Sequence, residues 1–344
     1  LLSEIIDYAG LFPPAKLPMD DAFQRFLSHR ASNDGWLLAR FVCPAGRLGD
    51  LTPLIGSEQL GQTPIRIAVL GTGGDDPPSY ADAIEHDVDS MRAFSDRFQG
   101  TALIDAFEVK LPAQGEPSEV VGFTCHHLDD AAVRPPKPYF ETSLLGDWSH
   151  RLDAVAAAIA VATHEIDPTR RAGLKIRCGG LDAGAVPAVE AVTAAVIAAR
   201  DHGLPLKATQ GLHHPIRHHD PNLGAKTHGF LNLTAAVLLA RDHALGGADV
   251  REIIADEDPK SFALTGTTLR WRDLEAGFEG IVDGRMTGGF GMIAHPAEYG
   301  NSGIMTFIVS QDGLIYEADL GEDTQEEVRN INVFDPSDAW SPVQ

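Results

Sequence analysis

Short apolar runs alternate with amphipathic stretches up to about residue 270. Candidate strands are Ile5–Phe12, Trp36–Cys43, Ile65–Gly71, Ala102–Leu111, Pro138–Leu144, Gly173–Gly180 and Pro205–Gly211. Helical periodicity runs between them through Asp20–His29, Tyr80–Phe98, Ser149–Glu165 and Val186–His202. Pro187 near the start of the last stretch, and Asp147 or Ser149 before the third, are N-terminal helix signals. Seven strand–helix units in succession predict an α/β fold with a parallel sheet and outer helices. An open doubly wound sheet and a closed barrel both satisfy that order. A unit count near eight, with no GxGxxG turn after the first strand, favours a (βα)8 TIM-barrel-like domain. Gly71-Thr72-Gly73-Gly74 follows the third strand instead, and Asp75-Asp76 behind it would repel a phosphate.

The pattern changes near Leu269–Gly284. Beyond it the chain reads as strands at Gly288–His295, Ile304–Ser310 and Leu314–Leu320, and Gln311-Asp312-Gly313 has tight-turn chemistry. The predicted organisation is a barrel-like domain over residues 1–278 and a small β-hairpin extension over residues 279–344.

Strand alternation then sorts the charges. Residues two apart share a face, and the face packed on helices must be apolar. Leu174 and Ile176 face outward, which turns Lys175 and Arg177 inward. Leu206 and Ala208 do the same for Lys207 and Thr209. Phe107, Val109 and Leu111 outside put Glu108 and Lys110 inside, and Asp7, Arg40 and Glu141 fall in the same phase. Barrel interiors that serve only packing are filled with Val, Ile and Leu. Charges in that place either pair with one another as an internal network or form a polar site for a small anionic or carbonyl substrate.

Composition narrows the partners. Acidic residues number 49 against 27 basic ones, a formal charge of −22. A polyanion would be repelled, so nucleic acid and anionic membranes are not expected partners. No apolar run approaches the roughly 20 residues of a membrane span. Three cysteines without a CxxC make no disulfide framework, so the expected compartment is reducing and cytoplasmic. A small-molecule substrate is the expected partner, and a homo-oligomer is compatible with the composition. The chain begins at Leu1, which leaves room for a further N-terminal segment.

Lys175 and Lys207 lie on adjacent strands. An ammonium crowded by another cation loses its proton more easily and can attack a carbonyl to form a Schiff base. Arg177 and the second lysine would supply that crowding. Glu108 or Glu141 would move protons, Arg177 and Arg40 would hold substrate anions, and Asp7, Lys110 and Thr209 complete the binding set. Gly179 and Gly180 allow a backbone amide to approach an anion, or simply end the strand. The LKIRCGG and LKATQG segments resemble deoxyribose-phosphate aldolase and its class I aldolase relatives, which carry lysines on the sixth and seventh barrel strands. That resemblance implies lyase chemistry with no cofactor. Where those relatives bind phosphate, this chain has Gly211-Leu212-His213-His214.

A second reading uses the histidines. His213, His214 and His228, with Glu141, make a metal-dependent hydrolase or isomerase, with a divalent ion such as zinc, the alternative. A third is a non-catalytic binding or structural protein whose inner charges merely pair. Cys178 falls on the apolar phase without a base and is a poor nucleophile.

Three landmarks, IDYAGLFPPAKLPM, ARFVCPAGRL and KATQGLHHPIR followed by HGFLN, resemble an uncharacterised bacterial protein family over residues 1–270. Its members finish on a strand with a Phe-Gly-Ser-Cys type sequence, which would be the eighth. This chain departs there, so either GGFGMIAH takes that place or the barrel stays open. From Gly280 onward, GIVDGRMTGGFGMIAH through FDPSDAW resembles the C-terminal part of a different uncharacterised family of bacterial envelope proteins.

Overall fold

The computed structural model describes residues 4–56, 64–131, 136–163, 171–265, 268–277, 281–282, 285–286, 291–296, 299–300, 304–310, 315–331 and 340–342. The chain divides into two compact units, Leu1–Phe262 and Ala263–Gln344. The division falls upstream of the expected 278/279 boundary.

The first unit is a seven-stranded parallel sheet. Its strands are β1 (Ile6–Tyr8), β2 (Leu38–Pro44), β3 (Ile65–Leu70), β4 (Ala102–Lys110), β5 (Lys137–Glu141), β6 (Gly173–Arg177) and β7 (Leu206–Thr209). They pair in sequence order, β1 through β7. Helices α1 (Met19–Arg30), α2 (Leu48–Leu51), α3 (Pro77–Arg97), α4 (Pro117–Ala131), α5 (Ser149–Ala162) and α6 (Val189–Asp201) follow successive strands. After β7 come a short antiparallel pair, β8 (His218–Asp220) and β9 (Ala225–Thr227), then α7 (Phe230–Asp242) and α8 (Gly247–Ala255). All seven expected strands are present. The β8–β9 pair falls where the sequence pattern marks no strand, because three-residue strands carry too little alternation to register.

The alternation does what the strand pattern requires. Phe41, Ile67, Val69, Phe107, Val109, Phe140, Leu174 and Ile176 are fully buried on the outer face. Burial of such side chains stabilises by about 1.5–3 kcal/mol each. Phe23 and Phe26 of α1 meet Phe41 edge-on, with ring centroids 5.6 and 5.5 Å apart. Ala183–Asp201 is long and apolar enough to pass for a membrane span by composition. Here its α6 portion buries Ala191, Val192, Ala195, Val196 and Ala199 and packs with α5, α7 and α8. Thus one apolar run does approach spanning length, and the fold uses it as a covering helix.

Seven flat strands would place β1 roughly 29 Å from β7. Instead the Lys207 ammonium on β7 contacts the Asp7 carboxylate on β1. The sheet is therefore curled into a partial barrel, with its first and last strands facing each other across the lumen. No backbone pairing joins β1 to β7 among the described residues.

One irregularity shapes the lumen. On β3 and β4, Ile67 lies opposite Ile104 but the next residue, Ala68, lies opposite Ala106. Asp105 is the extra residue of a β-bulge, so Asp105 and Ala106 both turn inward.

The second unit holds all but the first residue of β10 (Phe262–Leu264), with β11 (Thr268–Trp271) and β12 (Leu274–Gly277), in a three-stranded sheet. β13 (Ile281–Val282) and β14 (Arg285–Met286) form an antiparallel pair. β15 (Gly291–Ala294), β16 (Met305–Ser310), β17 (Ile315–Asp319) and β18 (Ser341–Pro342) make a four-stranded antiparallel sheet, with α9 (Thr324–Asn330) after β17. Gly291–Ala294 pairs antiparallel with β16. That part of GGFGMIAH is thus no eighth parallel strand. The Gln311-Asp312-Gly313 turn lies outside the described residues.

Candidate active site

Register places the chemistry. Lys110 on β4 lies level with Glu141 on β5, which lies level with Lys175 on β6 and then Lys207 on β7. With lumen side chains from every strand converging, the charges meet. Lys175 Nζ lies 2.8 Å from Glu108 Oε2 and 2.9 Å from Glu141 Oε2. Arg177 Nε lies 2.7 Å from Glu141 Oε1. Lys207 Nζ lies 2.9 Å from Glu108 Oε1 and also holds Asp7. The result is one ladder of alternating sign: Asp7, Lys207, Glu108, Lys175, Glu141, Arg177.

The ladder runs from buried to wet. Lys175, Glu108 and Glu141 are 3, 2 and 4 % exposed, whereas the Arg177 side chain is 46 % exposed. Glu108 Oε1 and Glu141 Oε2 are buried beside ammonium groups, yet among the described residues neither is met along a hydrogen-bond axis. Each keeps an acceptor position to spare.

Burial alone would raise the pKa of Glu108, but Lys175 and Lys207 outweigh it and hold the carboxyl below its ordinary range. Burial alone would lower Lys207, but Asp7 and Glu108 outweigh it and hold the ammonium above its ordinary value. The expected effect of crowding by cations is thus reversed at Lys207, because two carboxylates lie closer than the second lysine's charge can offset.

A second ladder crosses the other end of the sheet. Asp7 Oδ1 accepts from the Arg40 amide at 3.2 Å and lies 3.5 Å from Arg40 Nη1. Asp105, turned in by the bulge, receives Arg40 Nε and Arg66 Nε at 2.6 Å each, and Arg66 also pairs with Glu4. Strict alternation misses Asp105, whereas Arg66 keeps the inward phase of β3 between buried Ile65 and Ile67. The signal that would have found Asp105 is a carboxylate falling on the apolar phase of β4, a conflict that a bulge resolves. Tyr139 crosses the lumen between the ladders, its ring centroid 5.4 Å from Lys207 Nζ. Gly173 makes room for it: a Cβ there would sit 2.6 Å from the ring.

The remaining expected residues are placed differently. Lys110 is exposed at the strand end, without an ion pair among the described residues. The Thr209 hydroxyl donates to the Ile176 carbonyl at 3.3 Å. Gly179 and Gly211 pack backbone to backbone, since a Cβ on Gly179 would lie 2.7 Å from Gly211 Cα. A Cβ on Gly180 would collide with Ala185 at 2.4 Å. Both glycines thus close the strand ends. The Gly71–Gly74 loop is fastened by buried Asp87, which accepts from the Thr72 amide at 2.6 Å and the Thr72 hydroxyl at 2.8 Å. A carboxylate at that spot disfavours a phosphate.

The histidines do not converge. His213 and His214 are exposed, and His214 packs its ring on His218 at 4.1 Å. His228 is buried and fully used: Nε2 donates to the Pro187 carbonyl at 2.9 Å, and Nδ1 accepts from Arg217 at 3.2 Å. Burial foremost keeps it neutral, with Arg217 adding to that and the Pro187 bond opposing it. Among the described residues no cluster of three or more His, Cys, Asp or Glu side chains has metal-binding geometry. The Cys178 thiol, buried without a base, is pushed up to about 12.

Residues 272–343 match a family described as "protein of unknown function (DUF2950)". That stretch is a minority of the chain and lies in the second unit. No curated protein and no solved structure matches the chain.

Proposed function

We propose that the partial barrel is an enzyme acting on a small anionic carbonyl compound, with lyase chemistry through Lys175. The observation that carries this reading is the position of Lys175: buried, and within 2.9 Å of two carboxylates with acceptor capacity to spare. An ammonium must shed a proton before it can attack a carbonyl, and here either carboxylate can take it. Nζ then bonds to the carbonyl carbon as the C–O π pair moves onto oxygen, one Nζ proton passes to that oxygen, and the same carboxylate returns the first proton, so that the oxygen leaves as water and a protonated Schiff base remains. Lys207 plays a different part. Held charged by Asp7 and Glu108, it is a fixed cation facing the developing negative charge. Arg177 at the wet end of the ladder would receive the substrate's anionic group, with Lys110 beside it at the rim. These cations give a locally attractive mouth on a chain of net charge −22.

Borohydride reduction in the presence of small aldehydes and 2-oxo acids, followed by peptide mass mapping, tests the proposal. The expected product is a reduced adduct on Lys175 that disappears in Lys175→Met. Labelling of surface lysines alone would remove the covalent reading.

One set of contacts favours a second reading. Every charge of the ladder already has a partner of opposite sign, as a purely structural lumen would require. Under that reading Lys175→Met with Glu108→Gln preserves stability and no carbonyl compound leaves an adduct.

A further inference from the structure

The lumen has a second wall, and it is apolar. Val42 follows Arg40 in the inward phase of β2, and Ala68 and Leu70 follow Arg66 in that of β3. Val42 lies level with Ala68, which lies level with the inward-turned Ala106 of β4. These three side chains are buried, and Phe12, Leu70 and Tyr139 pack against them. Phe12 follows β1 and Leu70 ends β3, so both stand at the carboxyl ends of the strands, where barrel enzymes hold their substrates. Phe12, Leu70 and Tyr139 are themselves only half-buried. Glu108 marks the border between the two walls. Leu70 and Tyr139 lie level with it on the neighbouring strands, while Lys175 and Lys207 meet its carboxylate. On the polar side of that border, Glu108 Oε1 and Glu141 Oε2 are buried oxygens without a hydrogen-bond partner among the described residues.

We infer that the substrate is amphiphilic: a carbonyl acid whose aryl or alkyl substituent lies on Phe12, Leu70 and Tyr139 while its carbonyl faces Lys175 and its anionic group meets Arg177. The inference rests on the reading of the lumen as a substrate site, but not on the covalent step. A compact polar substrate would cover the charge ladder and leave the half-open faces of Phe12 and Leu70 in water. An apolar substituent removes those faces from water, and the gain grows with the area covered. The two walls also fix the orientation. An apolar group laid on the ladder would desolvate its charges and offer the spare acceptors of Glu108 and Glu141 no donor. A carboxylate laid on Leu70 and Phe12 would lose its water without gaining a cation, and would face Glu108 of like charge. The ligand is therefore accepted one way round, with its polar end toward Lys175 and Arg177. Tyr139 serves both walls, since its ring packs in the apolar cluster and also lies 5.4 Å, at its centroid, from Lys207 Nζ.

The test uses the intact chain and ligands that lack a carbonyl able to form an adduct, which keeps its result separate from Schiff-base formation at Lys175. Binding of straight-chain carboxylates from acetate to hexanoate is measured by titration calorimetry. Affinity should rise about fourfold per added methylene. Phe12→Ala should flatten that rise, whereas Arg177→Gln should weaken every member alike. In the wild type, photolysis with 4-azidobenzoate should mark the peptides that carry Phe12, Leu70 or Tyr139, and hexanoate should suppress the marks. Equal affinity along the series, no binding by any member, or marks confined to other peptides overturns the inference, whether or not the variants fold. If the series and the marks come out as expected but borohydride leaves no adduct on Lys175, the amphiphilic site stands and the lyase chemistry falls.

Discussion

Glu108 neutralises two ammonium groups from two strands while almost wholly removed from water. Such a group is costly to delete, because its partners stay behind as uncompensated charges. Glu108→Gln should lose about 3 kcal/mol or more at neutral pH, measured by urea unfolding. Adding Lys175→Met should restore part of that loss, since the two side chains share one network. A single variant within about 0.5 kcal/mol of wild type would mean that water, not the ladder, sets the energetics. The pH dependence has a definite sign. Glu108 is held low in the fold, so its contribution is whole above the ordinary carboxylate value of about 4.3 and fades as pH falls through the lower folded value. Lys207 is held high, so its contribution is whole below about 10.4 and fades as pH rises through the higher folded value. Glu108→Gln should therefore flatten the acid limb of the stability profile. An unchanged acid limb would assign it to other carboxylates.

At the scale of elements, β1 and β4 show why some of the site was legible and some was not. Lys175, Arg177 and Lys207 sit on strands with unbroken alternation, so their phase could be read directly. On β4 one extra residue shifts the phase, and Asp105 escapes a strict period of two. β1 has only three residues and pairs with β2 alone. Its hold on the sheet therefore leans on Asp7, which bonds the Arg40 amide and pairs with Lys207. Asp7→Asn should speed amide exchange in Ile6–Tyr8 while leaving β3–β5 at their original protection. Equal loss across all strands would show that the Asp7 contacts support the sheet as a whole.

At the scale of the whole molecule, charge is divided between an acidic chain and a lumen with cations to spare. A net charge of −22 repels itself, and added salt shortens the reach of that repulsion from about 10 Å at 0.1 M to about 3 Å at 1 M. Buried pairs such as Lys175–Glu108 are screened much less. The thermal midpoint should therefore rise as salt is added from low ionic strength, read by circular dichroism. A fall would place the important pairs at the surface instead. Seven strand–helix units, their order, and the inward phase of Lys175, Lys207 and Glu108 were determined by sequence alone, because periodicity and apolar patterning act locally. Which charges pair, which way the lysines' proton affinities move, and the commitment of His228 to Pro187 and Arg217 were decided only by tertiary structure. Those outcomes depend on distances between strands far apart in the chain, set by the curl of the sheet and by one bulge.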